Sequence, residues 1–393
     1  MRRVLILPVA VVTLCLWAAL ALGADKPLTF GLLLVGPYND KGYSQAQYDG
    51  GKYVEQHLPG AKMLYLDKIN PTDRPGVTIP QVVDDLVAKG ATLIFAGSDD
   101  MKDGIREAAT QHPDITFVHV SGDDVLTGKA PKNLGNLFAK MEYTNMMAGF
   151  AAGMATATGK IGFLGPLIND ETVRLANAAF LGARYAWEKV RGKAANDLVF
   201  KANWIGFWFN IPGVTSDPNQ VAGAFFDQGF DVVVSGLDTP EALTVAAARR
   251  KAGAKVFAVP YNYKDACQGA ENACLGVPYF NWGPPFLQVA KAVTAGTYKP
   301  AFDWLAPDYA ALNNPDKSPV GFATGEALSP EGKKALDTFV AALASGTYDP
   351  YAGPLLYQDG STFVAAGKTA TDKQLWFCPK LLEGMEGTGV AAK

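Results

Sequence analysis

Acidic residues gather where apolar runs of the chain give way to polar stretches: Asn39-Asp40, Gly97-Ser98-Asp99-Asp100, Ser121-Gly122-Asp123-Asp124 and Gly236-Leu237-Asp238-Thr239. Carboxylates so placed can share acid and base roles or hydrogen-bond a polar ligand, although capping a helix or facing solvent is their commoner use. Their usual partners in catalysis are scarce. His57, His112 and His119 are the only histidines, too few for a His-rich metal site. No G-x-S-x-G elbow occurs, and Gly97-Ser98-Asp99 lacks both the second glycine and a histidine to activate a serine. Neither H-E-x-x-H nor C-x-x-C is present, so no metal is expected. Without G-x-G-x-x-G after a strand or G-x-x-x-x-G-K-[ST] anywhere, a dinucleotide or nucleoside triphosphate has no anchor, and no cofactor is expected.

Aromatic residues in turn-rich stretches point elsewhere. Tyr38 and Tyr43 follow the first apolar run, Phe207, Trp208 and Phe209 follow Trp204, and Tyr261, Tyr263, Tyr279, Phe280 and Trp282 form a third group among Asn, Gly and Pro. Inside strands such side chains fill a core; in loops at one sheet edge they can wall a flat ligand. Cys267 and Cys274, separated by a polar turn, are the easiest pair to bridge in an oxidising compartment, leaving Cys378 free or buried. A bridge closing so short a loop contributes about 2 kcal/mol.

The elements that must position these residues alternate in kind. Apolar runs at 28–35, 62–66, 92–96 and 116–120 alternate with helix-forming stretches at 44–57, 79–89 and 101–111; a second series has helices at 142–156, 171–191, 218–228 and 240–252 between strands at 160–164, 198–204, 231–235 and 255–258. Strand-helix alternation without an intervening linker predicts an α/β chain of two Rossmann-like lobes with a hinge and a ligand cleft between them. Lobe I is expected over 25–138 with 261–297, and lobe II over 139–260 with 298–393, its tail covering one lobe and turning back in a hairpin near Gln358-Asp359-Gly360. Ligands of such sheets bind beyond the carboxyl ends of the strands. Arg2-Arg3, the apolar run 4–22 and Ala21-Leu22-Gly23 form an export signal over 1–24, with an uncleaved anchor as the alternative. Val12-Thr13-Leu14 before Cys15 does not make a lipobox, so a lipoprotein is not expected. Of the 393 residues, 35 are basic and 38 acidic; without Arg2 and Arg3 the formal charge becomes −5, with no basic stripe for nucleic acid.

Residues 36–50, reading Asp40-x-x-Tyr43-x-Gln45 and ending at Gly50, resemble the D-x-x-[FW]-x-Q-x-x-x-x-G opening of the basic membrane protein family of ABC-transporter solute-binding proteins. The resemblance continues through Asn136-Leu137-Phe138, Gly159-Lys160-Ile161-Gly162-Phe163, Asp227-Gln228-Gly229-Phe230-Asp231, Gly296-Thr297-Tyr298-Lys299 and Gly353-Pro354. It implies a type I periplasmic-binding fold, a location outside the cytoplasm, a monomer, and a purine nucleoside or nucleobase handed to an ABC permease and its ATPase. By position, Tyr43 and Trp208 become the two stacking walls, Asp40 a ligand for the polar part, and Ser98 and Asp238 loop contacts. Asn262 adds a hydrogen-bonding side chain. Where many members have an aspartate and a lysine for the sugar, this chain has Tyr261 and Asn281-Trp282-Gly283-Pro284, which favours a bare ring over a nucleoside.

Other classes share these lobes. An enzyme acting on a purine or small sugar in the same cleft is one alternative, although no residues stand out to activate water. A binder of another flat ligand, such as a flavin, is a second. A sensor is a third: a regulator needs a helix-turn-helix where the signal lies, and a receptor needs a second apolar span.

Overall fold

Runs of apolar residues become strands buried on both faces. In the computed structural model, which describes residues 27–389, Phe30 and Leu32 of β1 (Thr29–Leu33) pack with Leu93, Phe95 and Val118, whereas Leu33 packs on the other face with Ile94, Ala96 and Phe117. Parallel sheets require this double cover because their crossover helices lie on both sides. β2 (Lys62–Leu66), β3 (Leu93–Ala96), β4 (Thr116–His119) and β5 (Leu134–Ala139) complete a parallel sheet in the order β5-β4-β3-β1-β2. Between them run α1 (Tyr43–His57), α2 (Ile79–Ala88) and α3 (Lys102–Gln111). The expected signal at 1–24 lies outside the described residues.

The second series repeats the plan: α4 (Glu142–Ala155), β6 (Lys160–Gly165), α5 (Asp170–Tyr185), β7 (Val199–Trp204), α6 (Pro218–Asp227), β8 (Val232–Ser235), α7 (Glu241–Lys251) and β9 (Phe257–Val259). Its strands are parallel in the order β7-β6-β8-β9. The small residues of α4 let it lie close to α5: a Cβ on Gly149 would stand 1.7 Å from the carbonyl oxygen of Ala179. α5 starts with a capping box, the Asn169 side chain accepting from the Thr172 amide at 2.9 Å. It ends earlier than its sequence periodicity suggests, because the turn Ala186–Val190 is π-helical.

The chain then returns to the first lobe through β10 (Gly276–Phe280) and α8 (Gly283–Thr294). β11 (Phe302–Leu305) pairs in parallel with β5 and becomes the sixth strand of the first sheet. This departs from the expectation that lobe II resumes at residue 298. Proline-rich composition suggested a covering tail there, but the apolar side chains of Phe302, Trp304 and Leu305 still serve lobe I. β12 (Val320–Thr324) forms an antiparallel ribbon with β10, and α9 (Pro330–Ser345) packs on α4. β13 (Leu355–Leu356) and β14 (Thr362–Val364) make the expected hairpin. After α10 (Asp372–Trp376), β15 (Met385–Glu386) adds a fifth strand beside β7. By sheet membership the described chain passes between the lobes three times. Cys267 and Cys274 form a disulfide; Cys378 is buried and its thiol is pushed up to about 11 by that burial.

Candidate ligand cleft

The carboxyl ends of both sheets face one another, and the loops leaving them enclose a cavity. From the first lobe Tyr43, at the start of α1, Ser98 and Asp99, after β3, and Ser121, after β4, line it. From the second come Glu171, Thr172 and Leu175 of α5, Trp208 after β7, and Gly236 and Asp238 after β8. Tyr261 and Asn262 enter from the crossing that follows β9. About 370 Å³ of space, part of it open to solvent, lies between these residues, and only about 20 Å³ can hold the centre of a water molecule. The lobes are thus drawn together.

Direct contacts hold them in this position. The Tyr43 amide donates across the cleft to the carbonyl of Asp238 at 3.3 Å, and Gln45 Nε2 ties the first lobe to the crossing after β9 by donating to the Tyr263 hydroxyl at 3.0 Å. Gly42 makes the approach possible, since a Cβ there would fall 1.5 Å from the Asp238 carbonyl oxygen. Asp238 is anchored within its own lobe by its amide, which donates to the carbonyl of Trp208 at 3.0 Å. Asn262 Nδ2 donates to Asp238 Oδ1 at 3.2 Å. Asn262 is fully buried with φ +75°, a left-handed conformation that asparagine tolerates better than most residues.

The electrostatics are acidic. Burial, reinforced by the carboxylates of Asp40, Glu171 and Asp100, holds Asp238 well above the usual carboxylate range. Glu171 is pushed up to about 7 by burial, with Arg174 opposing and Asp99 adding to the rise. Burial followed by Glu171, Asp238 and Asp99 raises Tyr43, and burial followed by Glu171, Tyr43 and Asp238 raises Tyr261, so both hydroxyls keep their protons. The Tyr261 hydroxyl and Asn262 Oδ1 are buried without a hydrogen-bond partner.

Of the eight ligand-binding residues expected from sequence, Tyr43, Ser98, Trp208, Asp238, Tyr261 and Asn262 lie on the cavity wall. Asp40 lies outside it. Its carboxylate accepts from the amides of Gly42, Ser44 and Gln45 at 2.8, 3.0 and 3.0 Å and so secures the start of α1; burial nonetheless lifts it to about 6. Trp282 is also absent from the wall. It stacks on Phe280 with ring centroids 4.6 Å apart and meets Tyr43 edge-on at 6.4 Å, forming an aromatic support behind that residue. Asp123 and Asp124 are held by Lys102 and Arg106, at 2.5 and 2.7 Å. Sequence reasoning placed the loops of Ser121 and Gly236 at the ligand edge without naming either residue, missed Glu171, Thr172 and Leu175, and took Asp99 for a solvated or capping carboxylate. The rule that ligands gather beyond strand ends, applied to β6, would have drawn in the start of α5.

Two facing α/β lobes with a cleft between their carboxyl edges define a type I periplasmic-binding fold, the architecture of solute-binding proteins. An ABC-transporter solute-binding protein of Aeropyrum pernix superposes with a TM-score of 0.64 at 13% identity, over 84% of this chain and 93% of that one. Residues 28–195 match the sequence profile of the Bmp family, described as ABC transporter substrate-binding protein, PnrA-like. A purine-binding protein of Brucella abortus is 27% identical over 354 residues, 90% of this chain and 91% of its own. A Haloferax volcanii protein provisionally named an ABC transporter glucose-binding protein is 22% identical, over 84% of this chain and 78% of its own.

Proposed function

We propose that this protein is an extracytoplasmic receptor of an ABC importer that captures a planar heterocycle, a purine nucleobase or nucleoside, by stacking it between Tyr43 and Trp208 as the lobes close. The observation that carries this reading is that these two aromatics rise from opposite lobes onto one cavity wall together with Asp238 and Asn262. The likeness to a purine-binding protein along nine-tenths of the chain supports the same ligand class. Stacking provides roughly 2–6 kcal/mol for two faces, whereas micromolar binding requires about 8 kcal/mol; hydrogen bonds to ring nitrogens and exclusion of water supply the rest. Because the walls nearly meet, the ring enters when the lobes part and is enclosed when they return. No chemical step is assigned to the cleft, and the closed ligand is what a permease and its ATPase receive.

Titration calorimetry with adenine, guanine, adenosine, guanosine and glucose tests this. A dissociation constant at or below the micromolar range for at least one purine, with no heat from glucose, is the expected result. Binding of glucose and of none of the purines overturns the reading.

A further inference from the structure

The cavity wall carries three acids and no cation, beside the hydroxyls of Tyr43 and Tyr261 and the indole N–H of Trp208. Its ionisable acids come from both lobes, Asp99 from one and Glu171 and Asp238 from the other, and no lysine or arginine lines it. Among the described residues, neither Glu171 nor Asp99 has a side-chain hydrogen bond, and Asp238 has one, from Asn262. Independently of the acids, Asn262, fully buried and part of the same wall, has an Oδ1 with no donor to satisfy it.

Lys102 and Arg174 line the adjoining pocket with Asp99 and Glu171 but not this one. Lys102 is held by Asp123 at 2.5 Å. Arg174 is wedged between the rings of Trp304 and Trp376, at 5.1 and 5.0 Å, donates through Nη1 to the Trp376 carbonyl at 3.0 Å, and lies 3.8 Å from Glu142. Its charge draws Glu171 down without offsetting burial. Buried acceptors without donors are costly, so the occupant that relieves them must bring donors. An anionic ring adds like charge to a closed space that holds three acids.

Resting on the function proposed above, we propose that the cleft selects flat rings bearing an exocyclic amino group, neutral or cationic, with Glu171 and Asp238 accepting from it, and rejects anionic rings. A site built around such a hydrogen bond discriminates strongly against the analogue that lacks the donor.

The test compares adenine with unsubstituted purine, and guanine with hypoxanthine, by tryptophan fluorescence and calorimetry at pH 7.5, with urate as the anionic competitor. In the tighter of the two pairs the amino-bearing ring should bind at least tenfold better, and urate should fail to displace it at hundredfold excess. Glu171→Gln and Asp238→Asn, each shown by thermal melting to be folded, should shrink that preference at least threefold. Equal binding within that tighter pair, displacement by urate, or variants that keep the full preference overturn this proposal alone. Failure of every purine to bind removes this proposal together with the proposed function.

Discussion

Replacing Trp208 by alanine removes one wall of the cleft while leaving its frame in place. The indole is 8% exposed and lies on the loop after β7. What anchors that loop to the cleft is the Trp208 carbonyl, which accepts from the Asp238 amide at 3.0 Å and survives truncation of the side chain. The lost contribution is therefore one stacked face. At about 1–3 kcal/mol per face, with tenfold for each 1.4 kcal/mol, Trp208→Ala weakens purine binding roughly 5- to 150-fold, near 30-fold at the middle of the range. Trp208→Phe restores a ring and should return affinity to within about fivefold of the unaltered protein. Calorimetry at pH 7.5 gives both constants, and circular dichroism melts confirm that the variants are folded. An alanine variant that binds as tightly as the parent refutes the stacking assignment. So does a phenylalanine variant as weak as the alanine one.

Other perturbations test the frame. Gly42→Ala places a methyl group on the Asp238 carbonyl oxygen and should hold the lobes apart; overpacking of about 1–3 kcal/mol corresponds to a 5- to 150-fold loss of affinity, and small-angle scattering should show a ligand-bound radius of gyration above the parent's. Burial raises Glu142 from 4.5 to about 7, so the folded state holds more protons than the unfolded one in that window and this group's contribution to stability falls as pH rises through it; Glu142→Gln should flatten the decline in melting midpoint between pH 5 and 7.5, and an unchanged slope would remove Glu142 as its source. Replacing Cys267 and Cys274 together by serine should lower stability by about 2 kcal/mol in guanidinium titrations without abolishing folding, whereas an unfolded product would show that the bridge holds more than its local loop.

The lobes were legible because parallel strands covered on both faces are uninterrupted apolar runs, as at residues 28–35. β5 escaped the periodic reading because Gly135 and Asn136 interrupt it. The structure explains the asparagine: its side chain accepts from the Val125 amide at 2.9 Å and donates to the Ser121 carbonyl at 3.1 Å, tying down the loop that brings Ser121 to the cleft. β11 and β15 are short edge strands whose partners lie far away in sequence, so local pattern says little about them. In the site, residue type separated neither Asp40 from Asp238 nor Trp282 from Trp208. Asp40 is consumed by three amides of its own turn, and Trp282 by Phe280 and Phe286. The difference lies in which neighbours reach each side chain first, and that depends on the sheets having assembled.

Closure and acidity are linked by the same geometry. Asp40, Asp99 and Asp100 belong to the first lobe, Glu171 and Asp238 to the second, and the carboxylates of one lobe raise those of the other. Drawing the lobes together therefore works against like charge whenever these groups are ionised, and the opposition grows as water leaves the cleft and screening falls. A bound ring that donates hydrogen bonds to Glu171 and Asp238 opposes that contribution, because it supplies positive hydrogen-bonding edges where the closed cleft gathers acids from both lobes. Ligands differ in how far they favour the closed form over the open one only through interactions made in the closed form. On the proposed reading, a donor-poor ring of the same size keeps the stacking on Tyr43 and Trp208 but leaves the acids unrelieved, so that stacking accounts for capture and the acids decide which captured rings close the lobes.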